Sequence, residues 1–232
     1  MLSQPRPIEY PTSDGVPLGE TDTHRNQIID LIGALEDLFS DSPDVYVSGN
    51  LLMLYEEGNR NAHRSPDVLV ALGVAKKARD HYLIWEEGKA PDFIIEVTSK
   101  STRLEDIGEK KGLYAALGVR EYVIFDPLRD YLEPQLKMYR LEQGEYVPVI
   151  GEPLQSTVLN LDLKIMESRL RLVDRRTGEL LSTREETRMR AQRETAARTA
   201  AEAALAQAEE AFALERAALL AEVERLRGLR SD

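Results

Sequence analysis

From Thr23 onward, apolar residues recur at helical spacing: Ile28, Ile29, Leu31, Ile32, Leu35, Leu38 and Phe39. This pattern predicts an amphipathic helix, with Thr21, Asp22 or Thr23 as its cap and Ser40-Asp-Ser-Pro-Asp44 as its stop. Two short strands come next, Val45–Val47 and Leu51–Tyr55, separated by the turn triplet Ser48-Gly49-Asn50. The pattern then changes to nearly continuous apolar runs, Asp67–Leu72 after Ser65-Pro66 and Asp92–Val97 after Pro91. Such runs are expected of strands buried on both faces. A polar excursion carrying Lys76, Lys77, Arg79 and Trp85 separates them. Residues 102–117 read as a helix, capped by Ser101 or Thr102 and closed by Gly118. Glu121–Phe125 is a third buried strand, stopped by Asp126-Pro127. Weaker strands are expected at 136–141, 145–149, 169–174 and 179–182, with Gly144 and Gly178 at hairpin turns.

These elements predict a mixed α/β core, a central mixed sheet flanked by helices. The helix between strands 92–97 and 121–125 is the right length for a crossover that keeps them parallel. The first 20 residues, rich in Pro, Gly and Ser, read as an extended lead-in. The end of the chain differs in kind. From Arg184 to Arg230 there is no Pro and no Gly before Gly228, and Ala, Glu, Arg and Leu dominate. Leu205, Phe212, Leu219 and Leu226 fall every seventh residue, a thin coiled-coil seam whose companion positions are mostly Ala or charged. The expected organisation is therefore a domain over 1–182 and a long helix over 183–232, either paired with a partner or solvated alone.

Composition narrows the function classes. The apolar fraction is 42 % and the charged fraction 31 %, as in globular proteins. No stretch approaches the roughly 20 apolar residues of a membrane span, and Met1–Pro7 carries no apolar segment of a secretory signal. With no cysteine, a cytoplasmic location is the expectation. The net charge of −11 is acidic for a protein that grips many phosphates. Residues 1–182 hold 21 basic and 31 acidic groups and residues 183–232 hold 9 and 10, so the acidity belongs to the expected core. Any grip on a nucleic acid must be local. There is no zinc pattern, no Walker loop, no Gly-x-Gly-x-x-Gly and no Gly-x-Ser-x-Gly, which removes the simplest zinc, nucleotide and esterase readings.

The chemistry lies in two acidic residues. Asp67 opens one buried strand, and Glu96 sits near the end of its neighbour among Phe93, Ile94, Ile95 and Val97. A carboxylate inside an apolar strand costs several kcal/mol or a raised pKa unless something compensates it. A divalent cation shared with Asp67 would do so, because carboxylate oxygens are the ligands Mg²⁺ prefers. The alternative is that strand alternation points Glu96 to an exposed face, where it pairs with a lysine. On the following helix Asp106, Lys110 and Tyr114 share one face. They form either an ordinary surface pair or, since only Thr98–Ser101 separates the helix from the Glu96 strand, a lysine that reaches back to the carboxylate.

Taken in order, Pro66-Asp67-Val68, Pro91-Asp-Phe-Ile-Ile-Glu-Val-Thr-Ser99, Asp106-x3-Lys110-x3-Tyr114 and Gly118-Val-Arg-Glu-Tyr-Val-Ile-Phe-Asp-Pro127 resemble the Uma2 family of the PD-(D/E)XK nuclease superfamily. The resemblance spans roughly residues 8–150 and includes Glu20-Thr-Asp-Thr-His24. It implies a restriction-endonuclease-like fold and metal-dependent phosphodiester hydrolysis, with Asp67 at the Pro-Asp motif and Glu96 at the acidic position of (D/E)XK. The chain departs from the motif in one place: the lysine expected two residues after Glu96 is Thr98. Lys110 then resembles a migrated replacement, with Lys100 as the lesser substitute.

The expected function is a Mg²⁺- or Mn²⁺-dependent endonuclease acting on DNA, with Asp67 and Glu96 as metal ligands and Lys110 as the catalytic cation. The C-terminal helix would make a homodimer or recruit a protein partner. The rival is a non-catalytic, nuclease-like interaction protein that works through that helix. Several other residues have two readings each. Glu20 and His24 can add a polar group to the site or serve capping and surface roles, and His63 can join the site or be structural. Tyr82 and Trp85 can stack on a base or pack on the core. Lys76, Lys77 and Arg79 can contact phosphate or form a solvated loop. Tyr114 is expected to support packing.

Overall fold

The computed structural model describes Pro11 and residues 21–228, so Glu20 and the expected lead-in otherwise lie outside the described residues. Helix α1 (Asp22–Leu38) starts where Thr21 Oγ1 accepts the main-chain N–H of His24 at 3.2 Å. It turns Ile28, Leu31 and Leu35 inward, as its spacing predicts. Strands β1 (Val45–Ser48), β2 (Met53–Leu54), β3 (His63–Arg64), β4 (Val68–Leu72) and β5 (Tyr82–Leu83) come next, then the short helix α2 (Ile84–Glu87) and β6 (Phe93–Val97). The crossover is helix α3 (Arg103–Glu105), a π-helical turn (Asp106–Lys110) and helix α4 (Lys111–Leu117). Beyond it lie β7 (Glu121–Phe125), β8 (Leu136–Glu142), β9 (Glu145–Pro148), β10 (Leu154–Ser156), β11 (Leu161–Met166), β12 (Arg169–Asp174) and helix α5 (Arg184–Gly228).

The central sheet has six strands in the order β1-β4-β6-β7-β8-β9. Only β6 and β7 are parallel, joined by the helical crossover as its length requires. Every residue of β6 and β7 is buried, which explains why they are apolar apart from Glu96 and Glu121. Alternation sends Val68, Val70, Phe93 and Ile95 to the face shared with α1, together with Leu161, Leu163, Leu170 and Leu172 of the sheet β10-β11-β12. It sends Leu69, Ile94, Tyr122 and Ile124 to the opposite face, against Tyr114 of α4. A third small sheet, β3-β2-β5, adds Met53 and Tyr82 to that second face.

Two polar ties fix the layers. Gln27 of α1 donates to the main-chain oxygen of Leu170 and accepts from its N–H, both at 3.1 Å. Glu121, fully buried in β7, accepts from Arg140 Nη2 at 3.1 Å, from the N–H of Thr157 at 3.0 Å and from the Ser156 hydroxyl. These bonds satisfy a carboxylate that burial alone would penalise.

The structure corrects several boundaries. The expected strand 51–55 shrinks to Met53–Leu54 and joins a different sheet from β1, because the Ser48–Asn50 segment leads away from the central sheet. The expected strand 179–182 is one bridge, Val173 to Leu180. Strands β10 and β11 lie outside the elements that the pattern predicts, although β11 alternates buried Leu161 and Leu163 with the more exposed Asp162 and Lys164. The expected helix 102–117 begins at Arg103 and widens into the π turn.

The chain divides between Arg184 and Glu185 into two compact units. The second is the single helix α5, in which every described side chain from Arg184 to Arg225 is exposed. Leu205, Phe212 and Leu219 of the seam stand open to solvent. Among the described residues no helix is long and apolar enough to cross a membrane.

Candidate active site

Strands β4 and β6 pair antiparallel with Val68 opposite Ile95, and one further step of this register sets Asp67 opposite Glu96. Cross-strand partners share a face, so the two acidic residues are neighbours. A main-chain bond fixes the pair, because the N–H of Val97 donates to Asp67 Oδ2 at 2.7 Å. Gly49, in the turn after β1, packs against the same strand end. A Cβ on it would lie 2.2 Å from the main-chain oxygen of Asp67 and 2.4 Å from Ile32 Cδ1.

Glu96 is 1 % exposed, so it does not point to solvent as the simpler reading of strand alternation suggested. It does pair with a lysine. Lys110 Nζ lies 3.0 Å from Glu96 Oε2 and 2.8 Å from Asp106 Oδ1, and the Tyr114 hydroxyl donates to Glu96 Oε1 at 2.8 Å. Asp106, Lys110 and Tyr114 thus turn one face of the crossover onto the carboxylate. Tyr114 packs in the core, as expected, and also holds one oxygen of Glu96.

The π turn sits at Asp106–Lys110, where π turns commonly mark functional positions. The hydroxyl of Tyr122, from β7, donates to the main-chain oxygen of Asp106 at 3.0 Å. It supplies a partner from outside the helix where the ladder widens.

The electrostatics arise from burial. Burial pushes the Glu96 carboxyl up. Lys110 pulls it down, but the neighbouring charges of Asp67 and Asp106 add to the rise and leave it at about 8. Burial would lower the Lys110 ammonium, but Glu96 and Asp106 outweigh it and hold Lys110 above its ordinary value, so it stays charged. Burial, then the charge of Glu96, raises the Tyr114 phenol well above its usual range. The carboxylates of Glu96, Asp106 and Asp67 thus all act on the Lys110 ammonium in a largely dehydrated place.

Thr98 stands where the motif expects lysine. It is 1 % exposed, its N–H bonds the main-chain oxygen of Phe125 at 2.8 Å, and its hydroxyl has no hydrogen-bond partner among the described residues. Lys100 is exposed. The ammonium that reaches Glu96 is that of Lys110.

The other candidates fall on both sides. His24 is buried: its Nε2 is in hydrogen-bond contact with the main-chain oxygen of Val97 and 3.9 Å from Asp67 Oδ2. The surface role expected for it is therefore wrong, and the cap is Thr21. His63 is half-buried in β3 opposite Leu54. The cations of the basic loop each meet a partner within the domain, although Lys76 and Lys77 stay exposed. Lys76 Nζ bonds the main-chain oxygens of Phe39 and Ser40, 3.1 and 3.3 Å away, at the end of α1. Arg79 grips Glu87 through Nε and Nη2 and lies over the Tyr46 ring, while Lys77 is 3.9 Å from Glu87. Tyr82 is fully buried with its hydroxyl on the main-chain oxygen of Lys89, and Trp85 packs against Leu52, Leu54 and Leu83. The buried Tyr82 ring is not placed to stack on a base, whereas Trp85 is only half-buried.

Among the described residues no three His, Asp or Glu side chains are gathered into a ready-made metal cage. A pair of hard carboxylates still fits Mg²⁺ or Mn²⁺, since such ions are often held by one or two carboxylates and complete their shell with water and substrate phosphate.

Comparison with known proteins agrees with the sequence resemblance. The Uma2 family model, described as "Putative restriction endonuclease", matches residues 4–167. A crystal structure of a "putative nuclease belonging to DUF820" from Anabaena variabilis ATCC 29413 is similar at 16 % identity and a TM-score of 0.44, covering 60 % of this chain and 73 % of that one. No match was found among curated proteins.

Proposed function

The chain belongs to the Uma2 family, and from that membership and the charge cluster we propose a divalent-metal-dependent endonuclease that hydrolyses phosphodiester bonds in DNA. Asp67 and Glu96 are the proposed ligands of a Mg²⁺ or Mn²⁺ ion, and Lys110 is the proposed catalytic cation. The observation that carries this reading is the gathering of the Glu96 and Asp106 carboxylates on the Lys110 ammonium beside Asp67, a buried acidic cluster that a divalent ion would stabilise.

Bound there, the ion supplies Lewis acidity toward phosphoryl oxygens and lowers the pKa of a water. The protein supplies the rest. Val97 N–H and Tyr114 O–H orient Asp67 and Glu96. Asp106 shares the ammonium of Lys110 with Glu96, so Lys110 is held within reach of a phosphate that approaches Asp67. There it stabilises charge developing on the phosphoryl oxygens without reorganising. Asp67 is the more open of the carboxylates, its side chain 14 % exposed against 1 % for Glu96 and Asp106, and it marks the side of approach.

A second reading is favoured by the net charge of −11 and the 45-residue helix α5, exposed from Arg184 to Arg225: a nuclease-like protein that binds a partner, or a second copy of itself, through that helix. One experiment separates the two. Mg²⁺ and Mn²⁺ are titrated calorimetrically into the full chain and Glu96→Gln, and both are assayed for nicking of supercoiled plasmid. Ion binding and nicking that disappear together in Glu96→Gln are the expected result. A folded chain that binds neither ion ends the metal-nuclease reading and leaves the interaction reading in its place.

A further inference from the structure

Asp67 has a buried neighbour besides Glu96. His24, in the first turn of α1, is 7 % exposed, and its Nε2 faces two oxygens of the site: the main-chain oxygen of Val97 and Asp67 Oδ2 at 3.9 Å. Helix initiation does not require an imidazole here, because Thr21 is the cap. Packing does not require one either, since an aliphatic side chain fills such a place without desolvating a polar ring.

We propose that His24 is a ligand, through Nε2, of the divalent ion held at Asp67, so that imidazole and carboxylate bind it together. The proposal rests on the metal-dependent reading above and deepens it by naming the class of ion. Ligand atoms each about 2.1 Å from one ion lie about 3 Å apart when adjacent and about 4 Å apart when opposite. The 3.9 Å between His24 Nε2 and Asp67 Oδ2 falls within that span. Coordination through Nε2 places the ring proton on Nδ1 and replaces the contact with the Val97 oxygen, which becomes available as a further hard donor. Water and the substrate phosphate complete the shell, so three pre-gathered side chains are not needed.

The inference has a chemical consequence. A site made only of oxygens suits Mg²⁺ as well as Mn²⁺, whereas an imidazole shifts preference toward transition ions. This chain then binds Mn²⁺ more tightly than Mg²⁺, and the difference resides in His24.

The test is electron spin-echo envelope modulation of Mn²⁺ bound to the full chain, with calorimetric titration of Mn²⁺ and Mg²⁺. The comparison variant is His24→Gln, whose amide can still donate to the Val97 oxygen and so preserves the contact at the end of β6. Nitrogen modulation of an imidazole is expected in the wild type and absent in His24→Gln. Mn²⁺ affinity should fall at least as far as the roughly 10–100-fold typical of losing an outer-shell partner, and Mg²⁺ affinity should fall less. Wild type that binds Mn²⁺ without nitrogen modulation overturns the proposal and leaves Asp67 and Glu96 as the ligands. Modulation that survives in His24→Gln also overturns it, since another nitrogen is then bound. A wild type that binds neither ion removes the metal-dependent reading itself, a different and distinguishable failure.

Discussion

Lys110→Met is the sharpest test of the electrostatics at the crossover. The substitution keeps an unbranched side chain in a place only 8 % exposed and removes the single ammonium that faces Glu96 Oε2 at 3.0 Å and Asp106 Oδ1 at 2.8 Å. Breaking a buried ion pair from one side costs about 3–5 kcal/mol, because the partner is left desolvated and uncompensated. Glu96 sets the sign of the pH dependence. Its carboxyl binds a proton more tightly in the folded chain than its unfolded value of 4.5 implies, so it favours folding below that value, and the advantage is lost as pH rises through about 8. Without Lys110 the carboxyl climbs further, so the variant loses stability more steeply than the wild type as the solution becomes alkaline. Urea unfolding followed through Trp85, which reports on the core against Leu52, Leu54 and Leu83, measures this at pH 5.5 and pH 9. The penalty should approach the upper figure at pH 9 and shrink at pH 5.5, where protonated Glu96 no longer needs the ammonium. Mg²⁺ should recover part of the loss at pH 9. A variant as stable as the wild type at pH 9, or a penalty equal at both pH values, refutes this account of the cluster.

Two further substitutions probe the same geometry from other sides. Tyr114→Phe removes the hydroxyl that donates to Glu96 Oε1 at 2.8 Å and should cost about 1.5–3 kcal/mol in urea unfolding at pH 9, the range for a hydrogen bond to a charged group, with a smaller loss at pH 5.5. Equal losses at both pH values would mean that the bond does not depend on the charge of Glu96. Gly49→Ala drives a methyl group against the Asp67 main-chain oxygen and Ile32. It should cost about 1–3 kcal/mol by urea unfolding, and calorimetry should show weaker Mn²⁺ binding at 25 °C while the chain is still folded. Unchanged ion affinity would show that the strand end tolerates displacement.

The central sheet is legible in the sequence because its inner strands are buried on both faces and announce themselves as nearly continuous apolar runs: Val68–Leu72, Phe93–Val97 and Glu121–Phe125. The meeting of Asp67, Glu96 and Lys110 is legible for a related reason. A charge inside such a run demands a partner, and only four residues separate the Glu96 strand from the expected helix. What escapes is whatever depends on three-dimensional neighbours. The cations of Lys76, Lys77 and Arg79 look available along the chain, yet the end of α1 and Glu87 lie beside them in space. The burial of His24 escapes because a polar first turn explains itself by capping until β6 is seen beneath it. Tyr114 escapes because a phenol on a helix facing a sheet usually packs. The sheet β10-β11-β12 is half legible: Leu161–Met166 alternates, but Leu154–Ser156 is too short to carry a pattern.

The wide turn at Asp106–Lys110 makes the position of the ammonium a matter of chain length as well as of residue type. Thirteen residues lie between Glu96 and Lys110. Each residue added to or removed from a helix rotates the side chains beyond it by about 100°. A crossover longer or shorter by one would carry the lysine off the carboxylate even if every side chain around it were kept. The π turn, with its Asp106 carbonyl bonded by Tyr122, absorbs a residue that a regular helix of this span would not accommodate. Insertions and deletions in this short segment are therefore the changes to which the site is least tolerant, and a lineage that alters its length has to recruit its cation from somewhere else.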